Sequence, residues 1–233
     1  MSKIIELVDS YIDRDPAAKG RFETILTSPG LHALGIYRIS NFIWSIRLFI
    51  VARAISYIGR LITGVEIHPA AKIGSRFFID HGMGVVIGET SEVGDNVFIY
   101  HGVTLGGLSA KNGKRHPTIG SNVVIGAGAQ VLGPTRVGSY TKIGSGSVVL
   151  QHVPEYSTVI GVPGRIVFSG MNSMQNETNE EEAFPDPVAR DIECMLERLP
   201  QMEKEIRELR TTFINENKSK SISVKNESVI HKS

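Results

Sequence analysis

Aliphatic residues return every six positions through the middle of this chain. They stand at Ile67, Ile73, Ile79 and Val85, then at Val93, Ile99 and Leu105, and again at Ile119, Ile125, Val131, Val137, Ile143 and Val149. Four residues after many of them comes a second small or apolar residue: Ala71, Val97, Val103, Val123, Ala129, Thr135, Thr141 or Ser147. Glycine often follows directly, as at Gly74, Gly94, Gly106, Gly120, Gly126, Gly138 and Gly144. A fixed period dictates architecture before local propensity does. Six residues make a short strand and a corner. Three such units close one triangular coil, and stacked coils share an interior, each adding about 4.8 Å by strand pairing. The coil is expected over residues 65–168, with Pro163-Gly164 as its closing turn.

The flanks follow other periods. Residues 1–64 read as an α-helical N-terminal domain. Ile4, Ile5, Leu7, Val8, Tyr11 and Ile12 space like one helix face, and Asp15-Pro16 and Ser28-Pro29-Gly30 punctuate the segment. Residues 169–184 are polar, acidic and poor in bulky apolar side chains, which predicts a linker. In 185–214, Val188, Ile192, Met195, Leu199, Met202, Ile206, Leu209 and Phe213 alternate steps of four and three. That seam predicts a C-terminal helix, either a short coiled coil or an amphipathic helix packed on its own chain, with a break near Pro200. The polar tail 215–233 is expected to be disordered.

Composition removes several classes. Lys and Arg nearly balance Asp and Glu, for a net charge of +1, so no nucleic-acid footprint stands out. One cysteine, Cys194, permits no internal disulfide, which fits a reducing compartment. The first residues lack the pattern of a signal peptide. The most apolar stretch, Phe42 to Ile62, is interrupted by Arg47, Arg53 and Arg60, so no membrane span is expected.

Function is expected where the period fails. Two extra residues enter between Val85 and Val93. From Leu105 to Ile119 the step is fourteen where twelve would keep the beat, so residues 106–117 should leave the coil as a loop. His81 is the third residue of the rung that begins at Ile79, away from the aliphatic anchor, and should be accessible. One coil earlier on the same side lie residues 63–66, including Glu66. One coil later lies His101, and His116 ends the extruded loop. A carboxylate, an imidazole and a loop ending in Arg-His therefore converge by counting. A histidine beside a carboxylate is an oriented general base near neutral pH. No serine or cysteine nucleophile stands beside His81, so the nucleophile would be the substrate. For His68, His101 and His152 a surface contact is the plainer reading, and His32 is expected to pack or cap on an N-terminal helix.

Glu66-Ile67-His68-Pro69-Ala70-Ala71-Lys72-Ile73-Gly74, Ile79-Asp80-His81-Gly82, Gly88-Glu89-Thr90, Gly102-Val103-Thr104-Leu105-Gly106-Gly107, Lys114-Arg115-His116-Pro117-Thr118-Ile119 and Gly161-Val162-Pro163-Gly164-Arg165 resemble the serine O-acetyltransferases. Arg14-Asp15-Pro16-Ala17 and Gly30-Leu31-His32-Ala33 resemble that family's helical segment. The resemblance covers roughly residues 10–168. It implies an α+β fold: an α-helical segment, then a left-handed parallel β-helix with one extruded loop, assembled as a homo-trimer or a dimer of trimers. The implied reaction moves acetyl from acetyl-CoA to the hydroxyl of L-serine, giving O-acetyl-L-serine for cysteine biosynthesis in the cytoplasm. Acetyl-CoA is then a co-substrate, and no cofactor or metal is held permanently.

By the same resemblance His81 is the catalytic base and Glu66 its orienting acid. Asp15, Asp80, Arg115 and His116 hold serine, Glu89 supports the site, and Gly106, Gly107 and Ala127 line the acetyl-CoA groove. The chain departs from the family in three places. Glu66 stands where well-known members carry Asp, the helical N-terminus is short, and the heptad segment is additional. A complex with O-acetylserine sulfhydrylase, which uses a terminal Ile in the family, is not expected, because His231, Lys232 and Ser233 follow Ile230. Three rival readings stay open: an O-acetyltransferase acting on a sugar or other hydroxyl acceptor, a hydratase holding zinc on His81, His101 and His116, and a trimeric scaffold that binds through its heptad tail.

Overall fold

A computed structural model describes residues 2–15 and 18–169. The heptad segment 185–214, the tail 215–233 and all but the first residue of the expected linker lie outside them. Four helices come first: α1 (Ser2–Ile12), α2 (Arg21–Thr27), α3 (Pro29–Ser45) and α4 (Phe49–Thr63). Pro29 opens α3, where its fixed φ suits a first turn. Gly64, at φ 72°, closes α4 in the left-handed conformation, its N–H donating to the Arg60 carbonyl at 2.8 Å.

Short strands then stack as three parallel sheets. The first holds β1 (Glu66–Ile67), β4 (Val86–Ile87), β7 (Thr104–Gly106), β10 (Gln130–Leu132) and β13 (Val148–Val149). The second holds β2 (Lys72–Ile73), β5 (Glu92–Val93), β8 (Thr118–Ile119) and β11 (Arg136–Val137). The third holds β3 (Phe78–Ile79), β6 (Phe98–Ile99), β9 (Val124–Ile125), β12 (Lys142–Ile143) and β14 (Ser157–Ile160), and β15 (Arg165–Ser169) turns back antiparallel on β14. Every expected aliphatic anchor is buried, and so is every expected companion residue from Ala71 to Ser147. Each fully buried aliphatic contributes about 1.5–3 kcal/mol, so the repeat holds the prism together.

Both irregularities fall differently from the count. Ile87, not Val85, pairs with Ile67, so the two extra residues sit before β4, in the corner that carries His81. Val85 is also buried and aliphatic, which is why spacing alone chose it. Leu105 and Ile119 occupy successive sheets, so the gap between them is one rung enlarged by a loop, not two rungs slightly lengthened.

The helices cover the top edge of the coil, where unpaired strand groups would otherwise face solvent. Hydroxyls of Ser56 and Tyr37 donate to the carbonyls of Ile67 (2.7 Å) and Ala71 (2.6 Å). Asn41 and Arg38 donate to Pro69 (2.7 Å) and Gly74 (2.9 Å), and Arg14 to Arg76 (3.1 Å). The Tyr11 hydroxyl accepts from the Ile79 amide at 3.2 Å. Gly30 packs so closely on Ile79 that a Cβ there would lie 2.3 Å from its carbonyl oxygen. This clamp fixes the strand end from which Asp80 and His81 emerge.

Candidate active site

The expected site residues occupy two different corners of the prism. Asp80, His81, His101 and Ala127 lie where the third sheet turns into the first, and Glu66 begins β1 just beyond that corner. His68, Glu89, Arg115 and His116 lie where the first sheet turns into the second, as does Gly107, which follows Gly106 at the end of β7. Counting expected one cluster. The chain instead builds two, because a residue just before β8 belongs to a different edge from one just after β3.

At the first corner the regular coils carry glycine at positive φ: Gly102, Gly128 and Gly146, near 70°. The lengthened corner holds three positive-φ residues, His81 (57°), Gly82 (79°) and Gly84 (76°). A non-glycine residue there costs about 1–2 kcal/mol, so the corner holds His81 in a strained conformation. Its side chain is 76% exposed, and its Nε2 stands 3.8 Å from the Asp80 carboxylate. The His81 and His101 rings meet edge to face at 5.9 Å. Glu66 makes its ion pair with Arg60, Nη1 to Oε2, at 2.8 Å. The Asp15 amide donates at 3.0 Å to the carbonyl of Tyr11, the residue whose hydroxyl accepts from the Ile79 amide. Ala127 is stacked below His101 through the Gly128 amide, 2.9 Å from the His101 carbonyl.

The second corner is organised by Thr90. Its hydroxyl oxygen accepts the backbone N–H groups of Arg115 and His116, both at 3.0 Å, and lies 2.9 Å from His116 Nδ1. With both lone pairs engaged, the hydroxyl must donate to Nδ1. The Thr90 amide also points at Nδ1, at 3.2 Å. Two donors make Nδ1 an acceptor, so the ring is neutral and carries its proton on Nε2. Burial, then the neighbouring Arg115 charge, holds its pKa below the ordinary histidine value. His116 is thus a hydrogen-bond donor. Arg115 pairs with Glu89, whose carboxyl this hydrogen bond holds below its usual range. His68 is also pushed down, chiefly by burial, with the Glu89 charge opposing and the Arg53, His116 and Arg115 charges adding to it, and its Nδ1 accepts the Ala70 amide at 3.1 Å.

A neutral donor and a guanidinium on one edge suit a carboxylate ligand, and an exposed imidazole beside the Asp80 carboxylate on another suits proton transfer. The family model for the bacterial transferase hexapeptide (six repeats) matches residues 116–151. The serine acetyltransferase of Bacillus licheniformis is 52% identical over 205 residues, covering 88% of this chain and 91% of its own. The chain belongs to the serine acetyltransferase family. Its coil is the left-handed β-helix of that family. The solved serine acetyltransferase of Neisseria gonorrhoeae superposes with a TM-score of 0.72 at 40% identity, over 77% of this chain and 71% of that one. The Brucella abortus serine acetyltransferase in complex with coenzyme A gives 0.69 at 42%, over 71% of this chain and 66% of that one.

Two contributors in this family member were missed by sequence reasoning. Thr90 fixes the His116 tautomer, and Gly88 makes room for its ring: a Cβ at Gly88 would lie 2.0 Å from His116 Cδ2. Both sit in a motif visible in the sequence, yet their contacts with residues far along the chain were not. His32 and His152 make structural contacts, Nε2 of His32 with the Ile25 carbonyl at 2.6 Å and Nδ1 of His152 with the Arg136 amide at 2.9 Å. Among the described residues no group of three His, Cys, Asp or Glu side chains is placed to hold a metal ion. His81 and His101 share one corner, while His116 lies on another.

Proposed function

We propose that this chain transfers acetyl from acetyl-CoA to the hydroxyl of L-serine, with each active site assembled from two subunits of a trimer. The carrying observation is the chemical division between corners: an exposed imidazole on one edge, a carboxylate-recognising pair on another. A threefold arrangement brings the first corner of one copy against the second corner of the next. The exposed side chains of Leu61 and Ile62 on α4, and of Met83 in the His81 corner, give such a junction apolar surface to bury.

In this reading Arg115 and the His116 Nε2–H hold the serine carboxylate, and Asp15 and Asp80 the ammonium. His81 takes the hydroxyl proton as the serine oxygen attacks the thioester carbonyl. The new C–O bond forms, the C–S bond breaks, and the imidazolium returns the proton to the CoA sulfur. Glu66 orients the imidazole. Backbone amides near Gly106 and Gly107 stabilise the oxyanion, which is worth about 3 kcal/mol per donor. The pantetheine arm runs along the edge that holds Ala127. O-acetyl-L-serine then enters cysteine synthesis in the cytoplasm.

The test is release of the CoA thiol from acetyl-CoA with a panel of hydroxyl acceptors. Rapid turnover with L-serine and little with sugars is expected. Turnover with a sugar and none with serine would overturn the acceptor assignment.

A further inference from the structure

We infer that Arg60 is a positioning residue for acetyl transfer, acting by holding the Glu66 carboxylate for His81. The inference rests on the reading of Glu66 as the orienting acid. Arg60 lies in the last turn of α4 and Glu66 opens β1. The left-handed turn at Gly64 reverses the chain between them. The Glu66 amide then joins the first sheet through the Val85 carbonyl at 2.9 Å, and the guanidinium meets Oε2 at 2.8 Å. Arg60 engages one carboxylate oxygen, and Oε1 is the oxygen through which the acid would serve the imidazole.

Glutamate needs such a clamp more than aspartate does. Its extra rotatable bond adds conformations that must be given up before the oxygen is presented. A competing partner is also at hand. Arg60 and Glu66 line a cleft of about 120 Å³ with Arg53, Ser56, Tyr57, His68 and Pro69. Arg53 therefore sets a second guanidinium in the same cleft as the Glu66 carboxylate. A Glu66 released by Arg60 shares its cleft with that second cation, which competes with His81 for the carboxylate. The pair is not there for stability: its side chains are 56% and 41% exposed, and such ion pairs contribute little to folding.

Steady-state kinetics of Arg60→Ala, Arg60→Lys and Glu66→Ala, and of the double variant Arg60→Ala/Glu66→Ala, test this. Arg60→Ala is expected to lower kcat by about 10- to 100-fold, with KM for serine and acetyl-CoA nearly unchanged, the size that a small misplacement costs. Its melting temperature should hardly move, and Arg60→Lys should recover most of the rate. In the Glu66→Ala background, loss of Arg60 should cost nothing further. Wild-type kcat in Arg60→Ala beside a crippled Glu66→Ala overturns the inference and leaves the Glu66 reading standing. Equal losses with and without Glu66 also overturn it. Wild-type kcat in Glu66→Ala removes the Glu66 reading itself.

Discussion

His81 combines strain and exposure. It sits at φ 57° on an edge where the regular coils carry glycine, and most of its side chain is open to solvent. Its edge-to-face contact with His101 leaves most of the ring uncovered. Replacing it with glycine should therefore separate stability from activity. His81→Gly is expected to lower kcat by about 10²- to 10⁴-fold, the range for loss of a general base. It should raise unfolding stability by about 1 kcal/mol, because glycine adopts positive φ without a Cβ clash. Turnover near wild type would remove the base assignment, and a large destabilisation would show that the ring packs structurally. His116 makes the opposite case, a ring held neutral by its surroundings. Its folded pKa lies below the ordinary 6.5, mainly through burial, as does that of His68. The unfolded chain then binds more protons in mildly acidic solution, so this stability is fully present above about pH 6.5 and is lost as pH falls through the folded values. Glu89 and Glu92, depressed by hydrogen bonds with Arg115 and Lys72, act only in a lower window, below their ordinary 4.5. Urea unfolding at pH 7.5 and pH 5.5 should show the loss, and His116→Gln should reduce it. Equal stability of the wild type at both values would contradict the neutral ring.

At the scale of elements, the second corner works because a strand end and a returning loop lock together. Gly88 ends the β4 rung, Thr90 follows, and residues 115–117 come back from the loop onto both. Gly88→Ala would place a methyl inside the His116 ring. The ring must move, and overpacking of this kind costs about 1–3 kcal/mol. The variant should keep the coil, raise KM for serine by about 10-fold or more, and leave KM for acetyl-CoA much closer to wild type. An unchanged serine KM would take His116 out of the serine clamp. How far these elements were legible follows from their physics. The anchors were readable because a buried side chain every six residues has no other explanation. The position of the two-residue insertion was not, because Val85 and Ile87 are both aliphatic and both buried. Only the pairing of Ile67 with Ile87 separates them. The loop after Gly106 was visible as polar sequence, yet the number of rungs it spans depends on which sheet each flanking anchor joins.

For the molecule as a whole, candidate site residues could be named from sequence, but not the edge each occupies. That difference decides whether one chain can work alone. His81 stands on one edge and Arg115 on another; in the proposed trimer a single prism therefore holds halves of two different sites, each completed by a neighbouring copy. Mixing two dead variants tests this directly. Take His81→Ala and Arg115→Ala, each nearly inactive as a homo-trimer, then unfold and refold them together in equal amounts. In any trimer containing both, one junction of the three pairs an intact His81 edge with an intact Arg115 edge. Random assortment makes about three quarters of the trimers mixed, so about a quarter of wild-type activity should return. The recovered activity should show wild-type KM for serine, since the restored junctions carry no substitution. Refolding the variants separately and then mixing them should restore nothing while subunits stay unexchanged. If each site were complete within one chain, every junction would keep its own defect, and co-refolding would yield no more than the sum of the two residual activities.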